Sequence, residues 1–576
     1  MVTQPDEFPC ITQWQESRLK SKNNIQTLSL RWQTWLAGQK RPHPDAGEPP
    51  LRAEVFSVEQ LARHAKALAT NHLIVTRQGS NILLARLRQN EDILRTFNRA
   101  TLAVNPGWRI TPAAEWLLDN FYLIEEQIQM AKRHLPRDYS RELPRLLNGP
   151  CTGLPRVYDI VLELISHVDA QIDATTLGAF IAAYQTVHYL KLGELWAIPI
   201  MLRLGLIENL QRVATRLTIA REDRNLADLW VNRLQEMAEK NPSHLVIVVA
   251  DMAKSDLPLS SSFVAEFCQR LSRQSPVLHL ARGWLEQRLG QQGLSIEQLV
   301  QLDSQNQAAD QVSVSHSITS LRFLSAMDWK EFVENLSLVE TTLRSDPANV
   351  YDTMDFSTRD RYRHSVEFLA RNSQLSEAEV AQRAIQLTAD SVRQKGLGDR
   401  TAHVGFYLID KGQTQLARLI KVHLPRRTIL ERSIHRLPLV FYAGGIGVLT
   451  LLATFAFMRQ SLALEVQGWK LIFFTLVFLL CASQLAVALM NWLSTLLVKP
   501  CLLPRMDYSA GIPEDCRTMV VVPTMLSSVA GVDRLIETLE IHHLANRDDH
   551  LHFAFSRARR RPRRGAMCWP IPISGR

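Results

Sequence analysis

Apolar residues recur at three- and four-residue steps from about Leu51 to Arg432, and this spacing predicts a mostly α-helical region. Between Trp108 and Leu135, Thr111 is placed to cap a helix that starts with Pro112. Trp116, Leu117, Phe121, Ile124 and Ile128 then read as one continuous apolar stripe. Similar stripes are expected across Phe180–Arg203 and Phe263–Leu289. The strongest β-like run, Leu245–Ala250, predicts one short and isolated strand. Residues 1–50 are polar, and Lys40–Pro50 reads as a linker.

Two further runs break this pattern. Leu437–Met458 is uncharged throughout, and Leu471–Leu497 carries Gln484 and Asn491 as its strongly polar interruptions. About 20 apolar residues span the ~30 Å hydrocarbon core, so 437–458 and 471–497 are expected to be two transmembrane helices joined as a hairpin. Arg418, Lys421, Arg426, Arg427, Arg432 and Arg436 precede the first span, whereas Lys499, Arg505 and Arg517 follow the second. This distribution predicts that both long flanks, and hence both termini, are cytoplasmic. Trp469 and Trp492 are candidate interfacial residues.

Downstream the period changes again. Arg517–Leu526 contains a β-branched run broken by Pro523, Gly531–Leu544 is helix-like, and His550–Phe555 is strand-like. This is a β-α-β order, the start of a doubly wound domain, in which ligands bind beyond the carboxyl ends of the strands. Pro523 and Thr524, at the end of the first strand, are the candidate ligand-contact residues; an ordinary strand-end turn explains them equally well.

Composition alters this picture in one place. The net charge is +9, but Ser556–Arg576 contains seven Arg and no acid, which leaves +2 for everything before it. The basic balance therefore gives no reason to expect nucleic-acid binding by the whole chain. Seven scattered cysteines without a C-x-x-C pair argue against a disulfide framework or structural zinc. The first residues lack a basic segment followed by an apolar run, so no cleaved signal peptide is expected. His167, His316, His364 and His403 are candidate ligands or bases, but none has His or Cys four residues away. The polar clusters Lys191–Trp196 and Asp355–His364 are expected to be caps and inter-helix salt bridges. No nucleotide-binding glycine fingerprint appears.

Five blocks carry a resemblance: Arg109–Ile128, Leu190–Leu210, Gln307–Glu334, Met354–His364 and Thr518–Leu526. In this order they resemble the N-terminal part of the cyclic β-1,2-glucan synthases, bacterial inner-membrane glucosyltransferases, over roughly Leu51–Phe555. The resemblance implies a GT-A-like transferase domain beginning at 517–555, UDP-glucose as donor at the cytoplasmic face, and Mg²⁺ or Mn²⁺ in the full-length family. It also implies that Pro523 and Thr524 lie where such transferases hold the uridine end of the donor.

The departures are equally specific. The family's metal-binding and catalytic carboxylates and its Q-x-x-R-W-type acceptor motif lie further on, so no catalytic or metal-binding residue is assigned here. Residues 556–576 are expected to be an aberrant Arg-rich ending of a damaged gene, with a polybasic lipid-binding tail as the alternative. The expectation is a membrane-anchored fragment of the synthase, inactive alone; a non-enzymatic scaffold or interaction module is the alternative. The lipid bilayer is the partner the residues themselves call for, UDP-glucose comes from the resemblance alone, and no protein partner is indicated.

Overall fold

The computed structural model describes residues 51–75, 82–103, 110–135, 142–255, 257–272, 279–422, 437–463, 468–497, 503–524 and 529–557. The polar segment 1–50, most of the Arg-rich tail and Arg426–Arg436 lie outside the described residues. The described chain is mostly α, as the periodicity predicts. It divides into two compact units at Leu338/Val339.

The first unit opens with α1 (Val58–Asn71), held at its start by a reciprocal capping box between Ser57 and Gln60. Strand β1 (Ile74–Val75) precedes α2 (Ile82–Leu102). The stripe expected to be continuous is two helices, α3 (Pro112–Asp119) and α4 (Phe121–His134), which break at Asn120. Thr111 does occupy the cap position before Pro112, but its side chain makes no capping hydrogen bond. Trp116 turns outward at 41% exposure, while Leu117, Ile124 and Ile128 are buried. Strand β2 (Arg145–Leu146) pairs antiparallel with β1.

Next come α5 (Arg156–His167), α6 (Ala174–Gln185) and α7 (Leu192–Lys240). The Phe180–Arg203 stripe is therefore also split, between α6 and α7. At 49 residues, α7 is about 74 Å long. Its first half is buried on nearly every side, from Leu192 to Leu210, so it forms the axis of one core together with α5 and α6. Gly205 allows the close approach of α5: a Cβ there would meet Ile165 Cδ1 at 2.6 Å.

The second half of α7 is amphipathic and builds a second core through Ala227, Val231 and Leu234. This core is closed by α8 (Leu245–Lys254), α9 (Ser261–Leu271), α10 (His279–Gly290) and the first turns of α11 (Ile296–Ala326). The later residues of α11, Val314 to Leu324, belong to the first core, so α7 and α11 both run through the two cores. α12 (Trp329–Leu336) adds Phe332 and Val333 to the first.

The strand expected at Leu245–Ala250 is the helix α8. Leu245, Val248, Val249 and Met252 are buried, while Val246 and Ile247 are 61% and 57% exposed. That is helical spacing. The β-branched composition expresses only a weak preference, and a buried face against α7 overrides it.

The second unit begins with α13 (Leu338–Leu343), α14 (Phe356–Arg371), α15 (Glu377–Lys395), α16 (Gly405–Leu408) and α17 (Gln413–Leu419). They enclose a core that includes Tyr351, Met354, Tyr362, Leu369, Val380 and Leu408. Asp355 caps α14 through the Thr358 N–H at 2.9 Å, so the Asp355–His364 cluster opens on a cap. His364 contacts Asp360 at 3.3 Å and Glu367 at 3.1 Å, and these hydrogen bonds raise its pKa from 6.5 to about 10. Because the folded value lies above the unfolded one, the stabilisation is complete below about pH 6.5 and is lost as pH rises toward 10. For Asp360 burial opposes ionisation, but the His364 hydrogen bond prevails and the carboxyl is lowered. That contribution is therefore lost as pH falls instead. We expect pH-dependent unfolding to show an alkaline limb that His364→Gln flattens; an unchanged limb would contradict this assignment.

Two long helices follow, α18 (Pro438–Ala463) and α19 (Trp469–Leu497). At about 39 and 44 Å each exceeds the ~30 Å hydrocarbon thickness. Few residues of either helix are buried, unlike those of a core helix. This is a membrane protein. The helices pack along their length, with Phe457 stacked on Phe478 at 4.2 Å and Gly445 opposite the Met490 thioether. Asn491, a polar interruption in the sequence, accepts a 2.6 Å hydrogen bond from Tyr442 Oη on the other helix. Polar groups in hydrocarbon need such partners.

The segment after α19 returns to the helical part of the same unit. Met506 bridges to Met354, the Asp355 N–H donates to the Arg505 carbonyl at 3.0 Å, and the Asp507 N–H donates to Thr353 O at 2.8 Å. Strand β3 (Thr518–Thr524), α20 (Val529–Ala545) and β4 (Leu551–Arg557) then form the expected β-α-β, with the two strands parallel.

Candidate functional site

The register of β3 and β4 pairs Thr518 with Leu551 at one end and Thr524 with Arg557 at the other. The carboxyl ends therefore bring Pro523, Thr524, Ser556 and Arg557 together. Pro523 is exposed and has no backbone N–H to give to the ladder. It therefore accepts but cannot donate in the ladder, which runs one residue further to Thr524 opposite Arg557. β3 presents Met519, Val520 and Val521 at 58%, 38% and 49% exposure. Parallel sheets are ordinarily covered on both faces, so this pair is built for further layers.

At the opposite end, Asp548 ties two loops together. Its carboxylate accepts from the Ile512 N–H at 2.7 Å and the His550 N–H at 2.9 Å, and these bonds lower its pKa. The open hollow beside it, lined in part by Pro513, His543, Arg547 and His550, lies at the amino end of β4. Doubly wound domains bind ligands at the other end.

Divalent magnesium and manganese favour several oxygen ligands, usually including carboxylates. Pro523, Thr524, Ser556 and Arg557 provide no carboxylate, and the nearest acid after β3 is Asp533 within α20. These strand ends do not fit such a cation. Among the described residues, His64, Glu163 and His167 form a group with three donor atoms close enough to share an ion.

A second group has the residue types of a nucleophilic site but a different environment. His72 Nδ1 lies 2.9 Å from Tyr184 Oη, and His72 Nε2 lies 3.0 Å from Asp159. Cys151 is buried next to Asp159, and burial followed by that negative charge pushes its thiol far above the usual range. Burial also raises Tyr184 to about 12. A protonated, enclosed thiol is a poor nucleophile. The same layer contains the buried pair Arg156–Glu194, so it acts as a polar brace between α5, α6 and α7.

The remaining candidate histidines are also structural in their contacts. His316 Nδ1 lies 3.0 Å from the Asp169 carbonyl, and His403 bridges Asp346 at 2.7 Å and Tyr362 at 3.1 Å. Lys191–Trp196 is a cap and salt bridge: Glu194 accepts the Lys191 N–H at 2.9 Å while pairing with Arg156. His167 differs, because its partners gather around one point. The spacing Glu163-x-x-x-His167 is visible in the sequence, whereas the contribution of His64 from 99 residues away is not.

No protein-family model matches the chain. Its sequence is similar to the cyclic beta-(1,2)-glucan synthase NdvB of Rhizobium meliloti (strain 1021), at 31% identity over 516 residues. The match covers 88% of this chain and 18% of that protein. The resemblance carried by the five sequence blocks therefore extends across most of the chain.

Proposed function

We propose that this chain is a membrane-anchored portion of a cyclic β-1,2-glucan synthase, contributing the helical region, the hairpin and the first β-α-β of a UDP-glucose-dependent glucosyltransferase domain. The 516-residue similarity carries this proposal. The parallel β-α-β directly after the hairpin supports it, because a nucleotide-sugar domain of GT-A type begins in this way. In this reading Pro523 and Thr524 form one wall of the donor site at the carboxyl end of β3. The cation expected of the full-length family, Mg²⁺ or Mn²⁺, is held by residues elsewhere in it.

Glucosyl transfer requires a carboxylate base to activate the acceptor hydroxyl, and the strand ends present here supply none. The purified chain is therefore expected to release no UDP from UDP-glucose with either cation; measurable glucosyl transfer would contradict this. The family assignment has its own test. Grafted in place of the matched segment of the Rhizobium synthase, this chain should support glucan synthesis in membranes. A folded, inserted chimera that makes no glucan would count against it.

In this reading the membrane is the bacterial inner membrane, with both flanks cytoplasmic. The lysine and arginine distribution supports this orientation. The pairing of 505–507 with 353–355 supports the two flanks lying on the same side of the bilayer, whichever side that is. Impermeant thiol reagent applied to spheroplasts should label Glu465→Cys in the hairpin loop and spare Cys516, which is exposed on the flank. The reverse labelling pattern would invert the topology.

A further inference from the structure

We propose that His64, Glu163 and His167 form a binding site for a zinc-class divalent transition-metal ion, which fastens α1 to α5. Glu163 and His167 are four residues apart on one face of α5, and His64 comes from α1. His64 Nε2 lies 3.0 Å from Glu163 Oε2, and His167 Nε2 lies 3.6 Å from the same oxygen. The three donor atoms all lie within 4.8 Å of one another. Tetrahedral zinc with bonds of ~2.0–2.2 Å sets its ligand atoms roughly 3.3–3.5 Å apart. Side-chain movements of about an ångström would close the trio around an ion on this geometry.

The surroundings of His167 carry the inference beyond proximity. Its Nδ1 lies 2.8 Å from the backbone carbonyl of Glu54. A carbonyl can only accept, so Nδ1 bears a proton, and Nε2 is the ring nitrogen left facing Glu163 and His64 for a metal to take. This outer-shell arrangement fixes the tautomer and orientation of metal-binding histidines. Phe56 stacks on the His167 ring at 3.9 Å and 10°, and meets the His64 ring edge-on at 5.6 Å. The segment carrying Glu54 and Phe56 is itself pinned to the end of α5, by Ala53 N–H to Ser166 O at 2.9 Å and Phe56 N–H to His167 O at 3.0 Å. The rings are thus held before any ion arrives.

The donor chemistry selects the ion. Two imidazole nitrogens and one carboxylate oxygen suit zinc, cobalt, nickel or copper better than magnesium or calcium, which favour all-oxygen sites. The side chains of His64, Glu163 and His167 are 28%, 31% and 12% exposed, which gives an ion a path from solvent. Three protein ligands leave a fourth position for water.

The test is a Co²⁺ and Zn²⁺ titration of the full chain in detergent, after chelator treatment. Wild type should bind one more equivalent than His64→Gln or Glu163→Gln, with the visible absorption of tetrahedral cobalt. Binding at this site should be at least ~100-fold weaker in either variant. Zinc should raise the unfolding temperature of wild type and not of His64→Gln, with both proteins giving the same helical circular dichroism. Equal stoichiometry and cobalt spectra in all three proteins would overturn the proposal. So would a stability loss in His64→Gln that is identical with zinc and with chelator, because the trio would then be an ordinary histidine–carboxylate pair. Comparison with His364→Gln separates the site from surface binding at the Asp360–His364–Glu367 cluster; loss of the extra equivalent there instead would also overturn it.

Discussion

Replacing Glu194 by glutamine should lower the stability of the first unit by about 3–5 kcal/mol, although the change is nearly isosteric. Glu194 is fully buried, and its two oxygens accept from Arg156 Nε and Nη2, both at 2.6 Å. The Arg156 side chain is 4% exposed, and its Nη2 also donates to the Tyr189 carbonyl at 2.7 Å. Burial by itself would pull the guanidinium pKa down, but the hydrogen bond and charge of Glu194 reverse this and raise it. A neutral amide removes the compensating charge and leaves a buried cation. It also weakens the first turn of α7, because the same carboxylate accepts the Lys191 N–H. Removing both partners is a different experiment. Arg156→Met with Glu194→Leu should recover most of the loss, since an apolar pair of similar volume escapes the desolvation cost. Urea unfolding of the detergent-solubilised chain measures both. A Glu194→Gln effect below about 1 kcal/mol would show that water reaches this pair.

These buried pairs mark the limit of what the sequence discloses. The helices of the first unit are legible because burial on one face imposes a 3.6-residue period, and the two spans because hydrocarbon excludes charge over 20 residues or more. The β-α-β is legible for a related reason, since the strands of parallel sheets are ordinarily unbroken apolar, β-branched runs. Leu245–Ala250 has the same composition and is a helix. There the informative signal is the spacing of Leu245, Val248, Val249 and Met252, which the β-branched character of the run conceals.

Partners that meet across the fold leave no local mark. Arg156 and Glu194 are 38 residues apart, His72 and Asp159 87, and His64 and Glu163 99. Tyr442 likewise satisfies Asn491 from 49 residues away, so in the sequence Asn491 looks like a defect in a span. At the candidate donor site the sequence indicates where Pro523 and Thr524 lie, because strand ends are set by local chemistry. It does not indicate what would face them across the strand ends.

Glu340→Ala should cost about 3 kcal/mol and, in addition, loosen the segment that leads into β3. The Glu340 carboxylate is fully buried and accepts from Tyr351 Oη at 2.7 Å, Arg363 Nη1 at 2.7 Å and Arg344 Nε at 3.1 Å. Arg359 lies 3.6 Å away. Arg363 is 1% exposed, so losing this anion is expensive, but Asp360 at 3.3 Å retains part of the pairing and places the cost at the lower end of the range for broken buried pairs. Tyr351 and Met354 belong to the same buried layer, and the backbone from Thr353 to Asp355 is what Arg505, Met506 and Asp507 pair with. Arg505 also donates its N–H to Thr358 Oγ1 at 3.0 Å. A cut in the Glu340 network therefore reaches the first residues after the hairpin, by which the strands of the β-α-β are tethered. Hydrogen exchange should show lost protection at Asp355, Arg505 and Asp507 in Glu340→Ala, with α18 and α19 unchanged. Full protection of those amides despite lowered stability would mean that the tether is held independently of the Glu340 network.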